Sequence, residues 1–129
     1  MLRSGILNPQ LLALLARFRH TNTLVIADRG FPFWPQIETV DISLVDGIPT
    51  VMEVLSAVSA MCAVGHAWMA EEFRRENGDG AADLYRKALG KAELRFEAHG
   101  DFKRKVPSAV GLIRTGDVLP FANIILESA

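Results

Sequence analysis

Two groups of polar residues, one near each end of the chain, are of the types that transfer protons and bind hydroxyl groups. Near the N-terminus, His20 precedes the apolar run Thr23–Ala27, and Asp28 follows that run directly. Near the C-terminus, His99 and Asn123 stand beside other apolar runs. Histidine transfers protons near neutral pH, and carboxylates and amides hydrogen-bond hydroxyls. These residues predict a site that moves protons on a polyol.

The sequence lacks the patterns of several other chemistries. It has no Gly-x-Ser-x-Gly esterase turn and no Gly-x-Gly-x-x-Gly after the first strand. The segment Asn77–Gly80 is a predicted turn and has no lysine or hydroxyl of a phosphate-binding loop. None of the three histidines has the spacing of a zinc ligand pair. His66 is expected in a connection between a helix and a strand and is interpreted as structural. We therefore expect neither a cofactor nor a metal.

Length and charge exclude two classes of partner. The 129 residues fit one domain, residues 1–129. A net charge of −1 provides no basic face, so we expect no nucleic-acid partner. No apolar run has the length of a membrane span, and the run Leu11–Ala16 is too short for a signal peptide. The single cysteine, Cys62, favours the reducing cytoplasm over an oxidising compartment.

Apolar residues make up 50% of the chain, which is high for a domain with so much surface relative to its volume. A small monomer cannot bury all of these side chains in its own core. We therefore expect part of the apolar surface to lie in contacts between copies of the chain.

Hydrophobic periodicity predicts alternating helices and strands. Asn8 before Pro9 indicates a helix start, Thr50 to Glu53 matches a capping box, and Gly65 is a candidate helix end. The predicted helices are Pro9 to about Arg19, Thr50 to about Gly65, Ala81–Leu89 and Asp101–Val106. The helix Ala81–Leu89 is polar and is expected to be exposed. The predicted strands are Thr23–Ala27, Thr39–Leu44, Ala67–Phe73, Leu94–Ala98, Ala109–Arg114 and Asn123–Glu127.

This alternation of elements is typical of an α/β fold. It predicts three α/β/α layers around a mostly parallel sheet. The last two strands follow one another with no helix between them, so at least one antiparallel pairing is expected and the sheet should be mixed.

The order and spacing of short motifs over nearly the whole length resemble those of the D-ribose pyranase and L-fucose mutarotase family. The matching pieces are Gly5–Pro9, His20–Asn22, Ile26–Asp28, Gly47–Pro49, Glu53, Ala70–Glu72, His99 with Phe102, Arg114–Asp117 and Ala122–Leu126. The closing two motifs are the most diagnostic. The pieces Gly5–Pro9 and His20–Thr21 are closer to the ribose branch than to the fucose branch.

The resemblance implies a cofactor-free and metal-free isomerase that interconverts the ring forms or anomers of a free monosaccharide such as D-ribose. By this resemblance His20 is the proton donor, and Asp28 and His99 bind the sugar. The residues implied to complete the pocket are Phe121, Ala122 and Asn123.

The same resemblance implies a homo-oligomer, a decamer of two stacked pentameric rings with sites at subunit boundaries. The chain departs from the family at Phe121, where members usually carry tyrosine. Asn22 also replaces an aspartate, and Arg29 replaces a small residue. These departures leave open a ring-shaped sugar-binding or regulatory protein without catalysis. A purely structural α/β oligomer is the remaining alternative.

Overall fold

A computed structural model describes the whole chain, residues 1–129. The strands are β1 (Thr23–Ala27), β2 (Glu38–Asp41), β3 (Val64–Ala70), β4 (Glu93–Glu97), β5 (Gly111–Arg114) and β6 (Ile124–Ser128). The helices are α1 (Pro9–Leu15), α2 (Val51–Ser59), α3 (Glu71–Asn77), α4 (Asp79–Leu89) and α5 (His99–Lys105), with a short 3₁₀ helix at Val106–Ser108.

The six strands form one sheet in the order β2-β5-β1-β6-β3-β4. Strand β6 is antiparallel to both of its neighbours, β1 and β3. The remaining pairings are parallel, so the other five strands all point the same way. The expected antiparallel pairing therefore exists, but β6 pairs with β1 and β3 and not with β5, which precedes it in the chain.

Side chains from successive residues of β1 enter two separate cores. Leu24 and Ile26 join the larger core, which also contains residues of α1 to α4. Val25 and Ala27 join the smaller core, which contains residues of α5 and the 3₁₀ helix. Alternation along a strand sends neighbouring side chains to opposite faces. Helices thus cover both faces, and the predicted three-layer fold with a mixed, mostly parallel sheet is confirmed.

Two helix starts follow the capping signals in the sequence. The Asn8 side chain accepts a hydrogen bond from the backbone N–H of Leu11 at 3.0 Å, with Pro9 as the first helical residue. Thr50 and Glu53 form the predicted reciprocal capping box of α2. Both helices end earlier than expected. Helix α1 gives way after Leu15 to tighter i→i+3 turns, which bring Phe18 into the core.

The largest error in the sequence prediction concerns the segment after β3. The strand ends at Ala70, and Glu71–Asn77 forms α3, although the strand was expected to continue to Phe73. Two carboxylates in the first turn suit the positive end of a helix dipole, and helical geometry buries Phe73 completely. Gly65 lies within β3, close to Ala129, and does not end α2.

Three smaller predictions are also corrected. Gly78, with φ of +88°, separates α3 from α4, so the expected turn at Asn77–Gly80 shrinks to one glycine. Helix α4 was predicted to be exposed, but it buries Tyr85 and two other apolar residues. His66 lies in β3 and not in a connection, and its Nδ1 is 3.2 Å from the Glu127 Oε1.

The termini of α5 and β2 also shift. Helix α5 begins at His99, two residues before its predicted start, and β2 ends at Asp41 and not at Leu44. No helix of the structure has the length and apolar character needed to cross a membrane.

Candidate active site

The carboxyl ends of the five like-oriented strands meet at one edge of the sheet, where open α/β sheets bind their ligands. Asp28 follows β1 directly, and Arg114 is the last residue of β5. Glu71 follows β3, and His99 comes two residues after Glu97, the end of β4. Because β6 runs the opposite way, its starting point also lies at this edge. The topology therefore gathers polar residues that are far apart in sequence.

A cavity of about 250 Å³ opens at this edge. Four of the six predicted site residues line it, and three loop residues not predicted from the sequence complete it. The lining residues are Asp28, Gly30, Phe31, Pro32, His99, Phe121 and Asn123.

The Asp28 carboxylate is fixed by hydrogen bonds on both of its oxygens. Gly30 donates its backbone N–H to Oδ1 at 2.9 Å, and the Asn123 amide donates to Oδ2 at 3.1 Å. The Asn123 Oδ1 accepts the backbone N–H of Asp28 at 2.8 Å. Burial raises the pKa of Asp28 above its usual value, although the hydrogen bonds from Gly30 and Asn123 oppose this effect. The result is an oriented acceptor for a ligand hydroxyl.

The His99 imidazole stands among aromatic rings. It stacks on Phe102 at 6.1 Å and meets Phe121 edge-on at 5.1 Å. Burial, and then the positive charge of Lys103, lower the pKa of His99 below its usual value. The ring is therefore neutral at pH 7, and its buried Nδ1 has no hydrogen-bond partner within the chain. A neutral imidazole can donate or accept a hydrogen bond with a sugar hydroxyl.

The closing segment contributes in different ways along its length. Phe121 turns its ring toward His99, and its backbone has a φ of +60°, in the left-handed region. Asn123 is buried and bonds to Asp28. Ala122 lies in the larger core and is fully buried, so its side chain does not line the cavity.

His20 is the predicted site residue that the chain does not bring to this cavity. It is exposed and precedes β1, whereas Asp28 follows the same strand. The five residues of β1 rise about 3.3 Å each, so roughly 15 Å of strand separates the two side chains. Within one copy of the chain, His20 and the cavity lie at opposite edges of the sheet.

The segment Arg114–Asp117, which we call the brace, holds the backbone around Asp28. The Arg114 guanidinium donates to the carbonyl of Asp28 at 3.1 Å and to that of Pro32 at 3.2 Å. The Thr115 hydroxyl donates to the carbonyl that precedes Asp28 at 2.8 Å. The structural role of the brace was not predicted from the sequence. The sequence signal for the brace is a polar run placed directly after a buried strand.

Asp117 ties the brace to the start of α2. Its buried carboxylate accepts the backbone N–H of Val51 at 2.8 Å and that of Leu119 at 2.9 Å. Its carbonyl accepts the N–H of Arg29 at 3.0 Å. The added charge of Arg29 is paired with Asp46 at 2.7 Å, and Arg29 does not line the cavity.

No cluster of three or more His, Cys, Asp or Glu side chains has the arrangement of metal ligands. The cavity instead presents a carboxylate, an amide and a neutral imidazole. This set can hold several hydroxyl groups of one small ligand and exchange protons with them.

The sequence model of the RbsD / FucU transport protein family matches residues 1–129. The chain belongs to this family. The resemblance inferred from the motifs is thereby confirmed. A D-ribose pyranase of Geobacillus kaustophilus is 41% identical over 128 residues, which cover 99% of this chain and 93% of that protein. A D-ribose pyranase of Chromobacterium violaceum is 39% identical over 99% of this chain and 97% of its own length.

Solved structures of the family superpose over almost the whole chain. Bacillus subtilis RbsD complexed with D-ribose gives a TM-score of 0.93 at 32% identity, covering 100% of this chain and 98% of its own. The fucose mutarotase of Streptococcus pneumoniae in complex with L-fucose gives a TM-score of 0.78 at 20% identity. It covers 95% of this chain and 92% of its own, and it shares the fold.

Proposed function

We propose that this protein is a cofactor-free isomerase that interconverts the ring forms of a free monosaccharide, with D-ribose as the favoured substrate. The observation that carries the proposal is the cavity in which Asp28, His99 and Asn123 converge. The choice of ribose is supported by the D-ribose pyranases at about 40% identity and by the ribose-complexed relative.

The proposed reaction breaks and remakes one bond of a cyclic hemiacetal. The anomeric hydroxyl loses its proton and becomes the carbonyl, while the bond from the anomeric carbon to the ring oxygen breaks. The ring oxygen takes up a proton and becomes a hydroxyl. Closure through a different hydroxyl changes the ring size, and closure on the other carbonyl face gives the other anomer. The two proton transfers balance, so no oxidant or cofactor is required.

Each side chain has a role suited to its environment. His20 is the proposed acid that protonates the ring oxygen, a step for which one positioned acid or base typically gives about a hundred- to ten-thousandfold. Asp28 accepts a hydrogen bond from a sugar hydroxyl. Neutral His99 and the Asn123 amide hold further hydroxyls.

The proposed site is shared between copies of the chain. Because β1 separates His20 from the cavity of its own copy, the acid is supplied by a neighbouring copy. A ring assembly satisfies this geometry at every position, and a decamer of two stacked pentamers is the assembly that we propose. Exposed apolar side chains, including Leu44 and Leu84, support extensive contacts between copies. Neither nucleic acid nor a membrane has a role in this proposal.

We place the protein in the cytoplasm. Cys62 is its only cysteine and is free, and partial burial raises the pKa of its thiol. A raised pKa keeps the thiol protonated and unreactive, which fits a reducing compartment and gives Cys62 no catalytic role.

Replacement of His20 tests the catalytic part of the proposal. We expect His20→Ala to abolish catalysed exchange between the ring forms of D-ribose, measured by exchange-broadened NMR of the free sugar. The fold should persist because His20 is exposed in the chain and is not part of either core. His66→Gln is the matched control, since this histidine lies outside the cavity and should leave exchange unchanged. Undiminished exchange in His20→Ala would remove His20 from the mechanism and make His99 the next candidate.

A sugar-binding or regulatory protein without catalysis is the second candidate function. It is favoured by Phe121, which brings no hydroxyl into the cavity. Saturable ribose binding without faster exchange in the wild-type protein would establish this alternative. Binding together with accelerated exchange would exclude it.

A further inference from the structure

The carboxylate of Glu72 reaches from one helix to the start of another. Helix α3 begins immediately after β3, and α5 begins just after β4. These strands are parallel neighbours, with Ala70 opposite Glu97, so the two helix starts lie side by side. The Glu72 Oε2 accepts the backbone N–H of His99 at 2.9 Å across a separation of 27 residues. Helix α5 has no side-chain cap from its own N-cap residue, Ala98.

The His99 ring is otherwise held only by packing. Phe102 stacks on it, Phe121 and Phe31 meet it edge-on, and its Nδ1 has no partner within the chain. The ring direction therefore depends on the backbone of the first turn of α5. The Glu72 carboxylate is the acceptor for the backbone N–H of His99 at that turn. Without this acceptor, the first turn of α5 would be freer to move.

We infer that Glu72 is a positioning residue for the proposed sugar isomerisation. Its carboxylate holds His99 at the cavity and places a negative charge near the imidazole. The inference rests on the proposed function for its kinetic consequences. It explains why the motif Ala70–Glu72 stands beside the site although neither carboxylate lines the cavity.

The charged groups that face His99 come from three elements. They are Glu72 on α3, Asp28 at the end of β1 and Lys103 on α5 itself. Burial and Lys103 lower the pKa of His99, whereas the negative charges of Glu72 and Asp28 raise it. Glu72, which does not line the cavity, thus offsets part of the effect of burial on the His99 pKa, while its hydrogen bond fixes the backbone.

The neighbouring Glu71 has the same side chain but different contacts. It accepts two hydrogen bonds from Arg74 within α3, at 3.1 and 2.6 Å. Glu72 has only one other charged contact, with the largely exposed Arg75 at 3.6 Å, a type of pair that stabilises little. Glu71 is therefore a matched control for the loss of one carboxylate from the same helical turn.

Three variants separate the hydrogen bond from the charge. Glu72→Gln keeps an oxygen that can accept the His99 N–H but removes the charge. Glu72→Ala removes both, and Glu71→Gln removes a charge that has no contact with α5. For each, kcat and KM for D-ribose are measured by NMR exchange as a function of pH. The titration midpoint of His99 is followed in protein labelled with ¹³C-histidine, with its signal assigned from His99→Gln.

We expect Glu72→Gln to shift the His99 midpoint, and the acid limb of the pH profile with it, to lower pH. Above that limb, kcat/KM should stay within about threefold of wild type because the acceptor remains. Glu72→Ala should lower kcat/KM by about tenfold or more, chiefly through KM, since it leaves the N–H without its charged acceptor. Glu71→Gln should change neither the midpoint nor KM.

An unchanged midpoint in Glu72→Gln together with an unchanged KM in Glu72→Ala would overturn the inference. Equal shifts in Glu71→Gln and Glu72→Gln would also overturn it, because the effect would then be one of overall charge. If Glu72→Ala does not fold, the titration midpoint of His99 in Glu72→Gln decides whether the inference holds. If the wild-type protein shows no exchange, the proposed function fails, while the His99 midpoints still test the action of Glu72.

Discussion

Phe121 shapes the cavity through both its backbone and its ring. A bulky residue with φ near +60° is in an unfavourable region, at a cost of about 1–2 kcal/mol. Such residues concentrate at binding sites, where the surrounding structure holds them. Here the strained backbone directs the ring edge-on toward His99 at 5.1 Å. Thr21, next to His20, is the second non-glycine residue with positive φ. One of the two unfavourable positions is thus a predicted site residue, and the other lies next to one.

The first prediction adds a hydroxyl to this ring. We expect Phe121→Tyr to raise the affinity for D-ribose by roughly two- to twelvefold, because one neutral hydrogen bond contributes about 0.5–1.5 kcal/mol. The maximal exchange rate should change little, since the new group binds and does not transfer the proton. Titrations with ribose, fucose and a deoxy-sugar measure the effect and any change of preference among them.

Phe33→Tyr is the control, because it makes the same chemical change on a ring that is 71% exposed and outside the cavity. It should leave every affinity unchanged. If Phe121→Tyr also leaves every affinity unchanged, residue 121 does not face the sugar. The implied role of the closing segment would then be withdrawn.

The second prediction concerns acid stability and His99. Its folded-state pKa lies below the usual 6.5 because of burial and the charge of Lys103. The folded protein therefore binds this proton less tightly than the unfolded chain does. The stability from this group is fully present above about pH 6.5 and is lost as the pH falls through the lowered value. We expect the melting temperature of His99→Gln to fall less than that of wild type when the pH is lowered from 7.5 to 5.

Melting curves of both proteins across this range test the expectation. Parallel curves for wild type and His99→Gln would contradict the buried, neutral imidazole that the binding role requires.

At the scale of single elements, the sequence correctly predicted those segments whose structure follows from local sequence signals. The five β-branched and apolar residues of β1 and the capping box of α2 behave as expected. The residues Glu71–Phe73 were misassigned to the strand because Phe73, the only apolar residue of α3, resembles a continuation of the apolar strand before it, and its burial depends on tertiary packing. The acidic pair Glu71–Glu72 was the available helix signal.

The brace supplies the third prediction. A Cβ on Gly116 would lie 2.3 Å from the carbonyl oxygen of Val45 and 2.6 Å from that of Ile48, and both of these are backbone atoms. We expect Gly116→Ala to lower the free energy of unfolding by about 1–3 kcal/mol or more. Ribose affinity should also fall, since the brace holds the carbonyl groups around Asp28. Chemical denaturation and ribose titration measure the two effects.

Gly80→Ala is the matched control for this substitution. Gly80 lies in α4, and a Cβ there meets nothing within 4 Å. Alanine is the better helix former by up to about 1 kcal/mol, so this variant should be slightly stabilised and should bind ribose normally. Normal stability and affinity in Gly116→Ala would show that the loop after β2 can move away from the brace at no cost.

At the scale of the whole molecule, layer order and strand direction were predictable, but strand order was not. Local patterns do not indicate that β6 inserts between β1 and β3. That insertion brings Asn123 within hydrogen-bonding distance of Asp28, 95 residues away in sequence. Residue types alone could therefore nominate Asp28, His99 and Asn123 but could not place them together. The separation of His20 from Asp28, by contrast, follows from β1 alone, because one residue precedes this predicted strand and the other follows it.

The last prediction uses this opposite placement. If each site takes His20 from one copy and its cavity from another, two inactive variants should restore activity in mixed assemblies. We expect His20→Ala and Asp28→Asn each to be inactive alone, and their equal mixture, formed by co-expression, to recover activity at about a quarter of the sites. That fraction arises because half of the copies supply a wild-type His20 and half supply a wild-type cavity.

The control mixes His20→Ala with a double variant, His20→Ala and Asp28→Asn, so that no copy carries the acid. This mixture should stay inactive even though assemblies of the same size form. Native mass spectrometry verifies the mixing and gives the number of 14.2 kDa chains in each assembly. Mixed assemblies without recovered exchange would place the acid within the same chain as the cavity. Because β1 holds His20 away from its own cavity, that result would contradict the shared site. Activity of His20→Ala alone would instead transfer the role of acid to His99, whose Nδ1 has no partner within the chain.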